Sequence, residues 1–395
     1  MLLLQAGLCA CGAQSRDRPE SAPDSSPGPT DASQISRPVV ALAAGAGHTC
    51  ALMEDSTVEC WGHNASGQLG SGSVTDSTVP LPVVNLSGAL AIAAGGNHSC
   101  ALLPGGTVEC WGSNAYGELG NGSMAYSTVP IAVLKLSNAT ALAAGDTHTC
   151  SLSSDGGIDC WGNNDSGQLG TGMPNGSSVP QAVSDQRSAT AIAGGYNHTC
   201  SVLSNGETYC WGSNAAGQLG NGATADQGVP VLVAGLSAAK GIAAGRTHTC
   251  ALVSPGSVHC WGFNYFGQLG SQPMNDSPLP LLLPKISSAT AITAGRDHSC
   301  ARLTEGVGYC WGFNGYGQLG DGTATDSAEP VRVGTLRGLE SIVAGGTHSC
   351  ALDRAGRVSC WGDNTFGQLG STTSETCVEA NVSYGCSLSP KPVQW

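Results

Sequence analysis

The sequence has few charged and few large apolar side chains. Asp, Glu, Lys and Arg make up only 11% of the 395 residues, and the chain contains just 4 Phe and 5 Met. Long amphipathic helices need both kinds of residue, so this composition disfavours a helical protein. After the N-terminal segment, no stretch is apolar and long enough to span a bilayer. Glycine is abundant, with 58 residues, which favours short strands joined by turns.

Basic residues are scarce as well, and the formal net charge is -13. Proteins that bind nucleic acids through phosphates need clustered Lys and Arg, so nucleic acid is not expected as a partner. The imbalance is uneven along the chain: residues 38–237 carry 2 basic and 13 acidic side chains, whereas residues 238–395 carry 10 and 11. We therefore expect one side of the molecule to be acidic and the other nearly neutral.

Motifs typical of enzymes are missing from the sequence. There is no Ser/His/Asp order, paired carboxylate motif or dinucleotide fingerprint, and no Gly-Lys-Ser/Thr follows the glycine-rich turns to make a phosphate loop. The sequence therefore predicts a protein that is not an enzyme and needs no cofactor.

The N-terminus has the features of an export signal. Residues 1–11 contain a short apolar run, and Leu8-Cys9-Ala10-Cys11 resembles a bacterial lipobox with Cys11 as the lipidated residue. An ordinary cleaved signal is the alternative. Residues 12–37 are rich in Pro, Ser and Asp and are expected to form a disordered tether. These features predict an exported protein, either an envelope lipoprotein that contacts the membrane only through its lipid or an extracellular protein.

The rest of the chain is an internal repeat with a period of 50 residues. Histidines stand at 48, 98, 148, 198, 248, 298 and 348, and a Trp-Gly pair recurs from Trp61 to Trp361. Each copy contains four short apolar runs separated by Gly, Pro, Asn and Ser, which predicts four strands. Four-stranded units in sevenfold repetition indicate a seven-bladed β-propeller, one domain over residues 38–395.

The ends of the repeat suggest how the ring closes. The first copy lacks the Pro-x-x-Val run found at Pro80 to Val83, and an extra run of this kind lies at Pro390 to Val393. This predicts that the C-terminal strand joins the N-terminal blade, since open sheet edges are usually covered. Residues 371–389 lengthen the last connection and are expected to form an irregular loop.

The repeated frame resembles a known family. The segments "AGAGHTCAL" and "VECWGHNASGQLG" of the first copy, and their counterparts in the other six, resemble the regulator of chromosome condensation repeat. The resemblance covers residues 38 to 370 and the closing strand. It implies a seven-bladed propeller in which the repeated His and Trp are packing residues, the His with a structural hydrogen bond. It leaves the function open, because propellers host unrelated roles.

The paired cysteines of each copy fall at opposed positions of a hairpin. A turn centred on Asp55 pairs Cys50 with Cys60, and the same register pairs Arg302 with Gly308. Opposed strand residues lie close enough for a disulfide. We expect disulfides at Cys50, Cys60, Cys100, Cys110, Cys150, Cys160, Cys200, Cys210, Cys250, Cys260, Cys300, Cys310, Cys350 and Cys360, and a further one between Cys377 and Cys386.

Two other uses of these cysteines stay open at this point. They could be reduced and act as small buried apolar residues. His48, Cys50 and Cys60 could also bind zinc, but no recurring Asp, Glu or His supplies a fourth ligand, so no metal is expected. A redox pair is disfavoured because the Cys-x-x-Cys spacing is absent.

A binding site is expected where the copies differ, at the loops that flank the repeated hairpin. Aromatic and Arg side chains are frequent anchors of protein interfaces. The candidate residues are Tyr196, Arg246, Phe263, Tyr265, Phe266, Arg296, Phe313, Tyr316 and Phe366. Packing between adjacent turns is the alternative role.

The sequence thus predicts a monomeric scaffold that binds a protein or a cell-surface ligand, with enzyme inhibition as one form of that role. Two alternatives remain. Guanine-nucleotide exchange on a small GTPase is implied by the family resemblance, and carbohydrate binding is open because aromatic faces stack on sugars.

Overall fold

The computed structural model describes residues 38–395 except 273, 374, 380 and 381. The predicted signal and tether, with Cys11, lie outside the described residues. The first four blades contain β1 (Val39–Ala44), β2 (His48–Met53), β3 (Val58–Gly62), β4 (Ser77–Pro82); β5 (Ala91–Ala94), β6 (His98–Leu102), β7 (Val108–Gly112), β8 (Ser127–Ala132); β9 (Ala139–Ala144), β10 (His148–Ser153), β11 (Ile158–Gly162), β12 (Ser177–Ala182); β13 (Ala189–Gly194), β14 (His198–Leu203), β15 (Thr208–Gly212), β16 (Gln227–Leu232).

The remaining three blades follow the same plan, with one extra strand in the last. They contain β17 (Ala239–Ala244), β18 (His248–Val253), β19 (Ser257–Gly262), β20 (Ser277–Leu282); β21 (Ala289–Ala294), β22 (His298–Leu303), β23 (Gly308–Gly312), β24 (Ser327–Arg332); β25 (Leu339–Ala344), β26 (His348–Asp353), β27 (Val358–Asp363), β28 (Glu375–Glu379), β29 (Val382–Pro392). In the described part of the chain the only helical element is a short 3₁₀ turn at Pro104–Gly106, and no helix is long and apolar enough to cross a membrane.

Each blade is an antiparallel sheet, and in blades 1 to 6 the strands follow chain order from the centre outwards, as in β1-β2-β3-β4. In blade 7 the order is β25-β26-β27-β29-β28. The register of the central hairpin is the one predicted, with Cys50 opposite Cys60 and Leu52 opposite Val58. Arg302 lies opposite Gly308, so the largest side chain at that position faces the smallest. The fold is therefore the predicted seven-bladed propeller.

The predicted mode of ring closure is wrong. The C-terminal strand β29 pairs with β27 of its own blade, and β1 is the innermost strand of blade 1. The Pro-x-x-Val run belongs to the blade before it, because Leu81 pairs with Cys60. Every blade is thus made from one contiguous stretch of chain, and neither end of the repeat is left over.

Contacts between blades close the ring instead. Gly346 N donates to Gly45 O at 3.0 Å, joining blade 7 to blade 1, and Trp61 Nε1 donates to Gln368 O at 2.9 Å. The same tryptophan contact joins the other blades, for example Trp111 Nε1 to Gln68 O at 2.9 Å. Blade 7 and blade 1 therefore meet through the same kind of interface as every other pair.

The predicted irregular loop 371–389 is a regular hairpin for most of its length. Strands β28 and β29 pair from Glu375 opposite Cys386 to Glu379 opposite Val382, and a disulfide joins Cys377 to Cys386. The insertion adds a fifth strand to the sheet of blade 7. Along β28 exposed and buried side chains alternate, with Val378 exposed and Cys377 buried, but both residues are apolar, so the sequence does not show this pattern.

The core lies between neighbouring blades. Seven buried clusters join one blade to the next, and in each a tryptophan belongs to the same cluster as the half-cystines of the preceding blade, as Trp111 does with Cys50 and Cys60. The seven tryptophans are fully buried. Burying an aromatic of this size contributes a few kcal/mol in transfer free energy, so these contacts hold the ring together.

In blades 1 to 6 the outer strand is an open sheet edge that carries a proline at an equivalent position. Pro80 lies in β4, Pro180 in β12 and Pro280 in β20. Proline has no amide hydrogen to donate, so it weakens pairing with a further strand. The edges are thereby protected from edge-to-edge association.

Candidate functional site

The variable loops gather at one end of the propeller. In blade 1 they are residues 45–47, between β1 and β2, and residues 63–76, between β3 and β4. His48 lies opposite Gly62, and His63 N donates to Gly47 O at 2.8 Å, so the two loops adjoin as predicted. The loop face is defined here as these segments and their equivalents at intervals of 50 residues, extended to residue 386 in blade 7.

An asparagine, buried in blades 1 to 6, holds each long loop of this face. The Asn64 side-chain amide donates to Ser73 O at 3.0 Å and Thr75 O at 2.9 Å, and its Oδ1 accepts from Leu69 N at 3.0 Å. Gln68 Oε1 accepts from Ser66 N at 2.9 Å. These hydrogen bonds satisfy backbone groups that are not paired in a strand, and they fix the conformation of the loops. The residues at other loop positions can therefore differ between blades.

The seven repeated histidines form a ring of hydrogen bonds from blade to blade. His48 Nε2 lies 2.8 Å from Ser99 Oγ, and His348 Nε2 closes the ring at 2.8 Å from Thr49 Oγ1. Ser99 Oγ donates its own hydrogen to Gln68 O, so it accepts from His48 Nε2–H. The ring nitrogen Nδ1 of all seven histidines is then unprotonated, and it is buried without a hydrogen-bond partner.

Burial keeps these histidines neutral. Desolvation is the main cause that lowers the pKa of His48, His148, His198, His248 and His298 to about 3, and the pKa of His98 and His348 to about 4. All seven are 0% exposed, so none can reach a substrate. The structural hydrogen bond implied by the family resemblance is confirmed.

A glycine packed against each ring histidine gives a stability prediction. A β-carbon at Gly45 would lie 2.5 Å from Gly95 O and closer still to the His48 imidazole. We expect Gly45→Ala to lower the free energy of unfolding by about 2–4 kcal/mol, because neither the backbone nor the buried ring can move away.

Urea unfolding followed by tryptophan fluorescence measures this effect. Gly228→Ala is the matched control, because a β-carbon at Gly228 meets nothing within 4 Å. Equal stability of the Gly45→Ala and Gly228→Ala proteins would contradict the packing argument.

The cysteines form the predicted disulfides. Cys50 and Cys60 are bonded, with their Cα atoms 4.1 Å apart, and the other six hairpins repeat this bridge. Sulfur atoms bonded to each other are not available as thiolate ligands, so these hairpins do not bind zinc in this state. Among the described residues no group of three His, Cys, Asp or Glu side chains is arranged to hold a metal ion.

The short loops of the loop face surround the mouth of the central channel. The mouth contains a cavity of about 340 Å³ whose walls are mostly Ala and Gly backbone from the innermost strands. Blades 3 to 6 add the larger side chains Asp146, Tyr196, Arg246 and Arg296. Three of the predicted binding residues therefore lie together at this mouth.

Charges at the mouth are paired with one another. Arg246 donates from Nε and Nη2 to Asp297 Oδ1 at 3.2 Å and 3.0 Å, and Arg296 Nε lies 3.7 Å from Asp297 Oδ2. Burial raises the pKa of the Asp297 carboxyl above its usual value, and the Arg246 guanidinium counteracts this. Burial likewise raises the pKa of Asp146, against a hydrogen bond from Tyr196.

The predicted aromatic residues of blades 5 and 6, Phe263 among them, form a continuous row. Phe266 contacts Tyr265 and Phe313 at ring-centroid distances of 5.0 Å and 4.8 Å, and Phe313 contacts Tyr316 at 6.0 Å. Tyr384 of the insertion hairpin extends the row, 5.3 Å from Tyr316. The rings pack on one another, yet Tyr265 remains 69% exposed.

Phe366 lies apart from that row. Its ring contacts His63 of blade 1 at 4.4 Å, across the boundary between the last and first blades, and it is partly exposed. The nine candidate residues thus form three groups on one face: the aromatic row, the channel mouth and Phe366.

Three tyrosines of the loop face were not among the predicted residues. Tyr116 and Tyr126 are exposed in blade 2, and Tyr384 lies in the insertion. Tyr116 occupies the same position in its repeat as Phe266, so aligning the copies would have found it. Tyr384 has no counterpart in the other copies, and only the structure places it on this face.

Several solved structures are similar to this chain. Prp20p from Saccharomyces cerevisiae, described with its binding to Gsp1p and histones, is 26% identical with a TM-score of 0.73, over 79% of this chain and 82% of that chain. Human WBSCR16 is 23% identical with a TM-score of 0.73, over 80% and 87%. The ectodomain of the Physcomitrella patens receptor kinase CR4 is 22% identical with a TM-score of 0.52, over 82% and 73%. No curated protein matches the sequence significantly.

Family models agree with the geometry of the repeats. The model of the regulator of chromosome condensation (RCC1) repeat matches residues 289–318, 340–368 and 305–352. The model of the RCC1-like domain matches residues 5–288, most of the chain. With its blades, buried tryptophans and histidine ring, the chain belongs to the RCC1-like domain family.

Proposed function

We propose that this chain is an exported, non-catalytic scaffold whose loop face binds another protein. The observation that carries the proposal is the placement of exposed aromatic side chains. Among the described residues every exposed aromatic except Trp395 lies on the loop face: Tyr116, Tyr126, Tyr196, Tyr265 and Phe366. Exposed aromatics gathered on one face are the usual mark of a protein interface.

The disulfides support the exported location. Eight bridges indicate an oxidising compartment, because cytosolic thiols are kept reduced. Lipidation of Cys11 would then hold the propeller at a membrane surface through residues 12–37. A mass for the mature protein that includes a lipid on Cys11 would support the anchor, and a free N-terminal residue beyond it would exclude it.

A scaffold of this kind can act by covering the site of its partner. The loop face is built on seven rigid blades, so little order has to be gained on binding. Inhibition of a secreted or envelope enzyme therefore fits the same face. Nucleotide exchange is the second candidate, favoured by the likeness to Prp20p, and confirmed secretion would exclude it because small GTPases are cytosolic.

The aromatic row supplies the direct test. Replacing Tyr265 and Phe266 by Ala removes one exposed ring and the ring beneath it. We expect capture of the partner from envelope and secreted fractions to fall by at least about tenfold, since an interface anchor is worth roughly 2 kcal/mol.

The control is the melting temperature of the same variant. A packing role predicts reduced stability with partner capture unchanged, which is the result that would contradict the proposal. Sugar binding is examined in parallel on a glycan array, where a signal abolished by Tyr265→Ala would favour the carbohydrate alternative.

A further inference from the structure

Charge on this propeller is separated by face. The loop face carries 12 acidic and 2 basic residues, whereas the rest of residues 38–395 carries 12 acidic and 10 basic residues. The acidic residues of the loop face are Asp76, Glu118, Asp146, Asp165, Asp226, Asp276, Asp297, Asp321, Asp326, Asp363, Glu375 and Glu379. Blades 5 to 7 are nearly neutral as a whole, but almost all of their basic residues lie away from the loop face. The loop face of these blades is therefore acidic.

The two basic residues do not offset this charge. Arg246 is held by Asp297 through two hydrogen bonds to one carboxylate oxygen, at 3.2 Å and 3.0 Å. Arg296 lies beside the same carboxylate, 3.7 Å away, and also acts electrostatically on Asp146. Both guanidinium groups thus balance carboxylates at the mouth of the channel, and the surrounding loops remain negative.

Four exposed carboxylates of the outer loops are fixed in position. Asp76, Asp226, Asp276 and Asp326 occupy equivalent places in blades 1, 4, 5 and 6, and all four are exposed. Each accepts a hydrogen bond through Oδ1 from the backbone amide of the loop asparagine, at 2.6, 2.7, 2.9 and 2.7 Å respectively. Because the carboxylates are already ordered, little side-chain entropy is lost when a cation pairs with them.

Exposed tyrosines occur on the same face as these carboxylates. Tyr116, Tyr126 and Tyr265 are 46%, 60% and 69% exposed. The face of an aromatic ring attracts Lys and Arg side chains, as carboxylates do. Anionic ligands such as nucleic acids or acidic lipid headgroups would be repelled by the same surface.

We propose that the loop face recognises a basic protein surface, whose Lys and Arg side chains pair with the ordered carboxylates and lie over the exposed tyrosines. This inference rests on the proposed protein-binding function and adds the chemistry of the partner.

A random-peptide library tests the proposal without a known partner. Twelve-residue peptides displayed on phage are selected on the full, disulfide-bonded chain, and the selected sequences are synthesised for affinity measurements at several salt concentrations. The test variant combines Asp76→Asn, Asp226→Asn, Asp276→Asn and Asp326→Asn, which removes four charges and keeps an acceptor oxygen at each position. The control variant combines Glu54→Gln, Asp185→Asn, Glu305→Gln and Glu340→Gln, which removes four charges from the opposite face.

The expected result is an excess of Lys and Arg in the selected peptides. Their affinity should fall about tenfold for the test variant and less than about twofold for the control, since each exposed ion pair contributes little by itself and the test variant removes four. It should also fall as NaCl screens the charges. Selection without a basic bias, equal effects of the two variants, or no peptide that depends on the loop face would overturn the inference.

The outcomes also separate this inference from the proposed function. Peptides without a basic bias that lose binding in the Tyr265→Ala, Phe266→Ala protein would refute the charge preference alone. Peptides or partners that bind equally to every loop-face variant would refute both.

Discussion

Acidification from about pH 7 to about pH 4 should unfold this propeller in a steep transition. Each ring histidine has a pKa of about 3 or 4 in the folded protein, below its usual value of 6.5. Below pH 6.5 the unfolded chain therefore binds protons that the folded chain excludes. The stabilisation is complete above that pH and is lost as the pH falls towards the folded pKa.

The effect of pH on stability is large because seven histidines contribute to it. Once the unfolded imidazoles are protonated, each histidine lowers the free energy of unfolding by roughly 1 kcal/mol per pH unit, on the order of 10 kcal/mol per unit for the ring. This is comparable with the whole stability of a typical domain. Burial raises the pKa of Glu118, Asp146, Asp159 and Asp297, which opposes the effect, but these carboxyls are fewer than the seven histidines.

Urea titrations at closely spaced pH values, read by tryptophan fluorescence, measure the number of protons taken up on unfolding. His98→Gln should lower both the stability at neutral pH and the steepness of the pH dependence. Thr149→Ala is the matched control: it removes the hydrogen-bond partner of His98 but keeps all seven imidazoles, so stability should fall and steepness should not. A free energy of unfolding that is the same at pH 7 and pH 5 would contradict the prediction.

Loss of the seven hairpin disulfides is the second change with a large expected effect. Each bridge closes a loop of about ten residues, which stabilises the fold by roughly 2–3 kcal/mol in the chain-entropy model. The sum, on the order of 15–20 kcal/mol, exceeds the stability of an ordinary domain. We expect a chain that is reduced in denaturant to stay unfolded after the denaturant is diluted with reductant present.

Tryptophan fluorescence reports refolding, and intact mass confirms the gain of about two hydrogens per bridge. The Cys377→Ala, Cys386→Ala protein provides the comparison, because this bridge joins only β28 and β29 of the insertion. It should fold with most of its stability retained. Refolding of the fully reduced chain to the native spectrum would refute the prediction and make packing alone sufficient for the fold.

Much of this fold could be predicted because equivalent positions can be compared among the seven copies of the repeat. The substitution of Arg302 opposite Gly308 is informative only when six other copies show what those positions usually hold. Ring closure could not be predicted in the same way. A strand between two hairpins can pair with either of them. The sequence of Pro80 to Val83 does not show which pairing is favoured, and in the structure this strand pairs with the hairpin before it.

The candidate site was predicted in part for a similar reason. Variable positions within the repeat frame led to Tyr265 and Arg246, and the structure places them on one face. The charge difference between the two faces could not be predicted from the net charges of the two halves of the chain. Basic and acidic residues that are close in the sequence lie at opposite ends of a blade. Tyr384 was missed because the insertion has no repeat to compare it with.

The bridge across each central hairpin also has a consequence for proteolysis. Residues Glu54 and Asp55 are exposed in the turn between β2 and β3, where a protease could cut the chain. Cys50 and Cys60 lie on either side of that turn, so the two products would stay covalently joined and paired. Every blade has a turn of this kind inside its disulfide. The chain can therefore be nicked once in each of these turns and still remain one molecule.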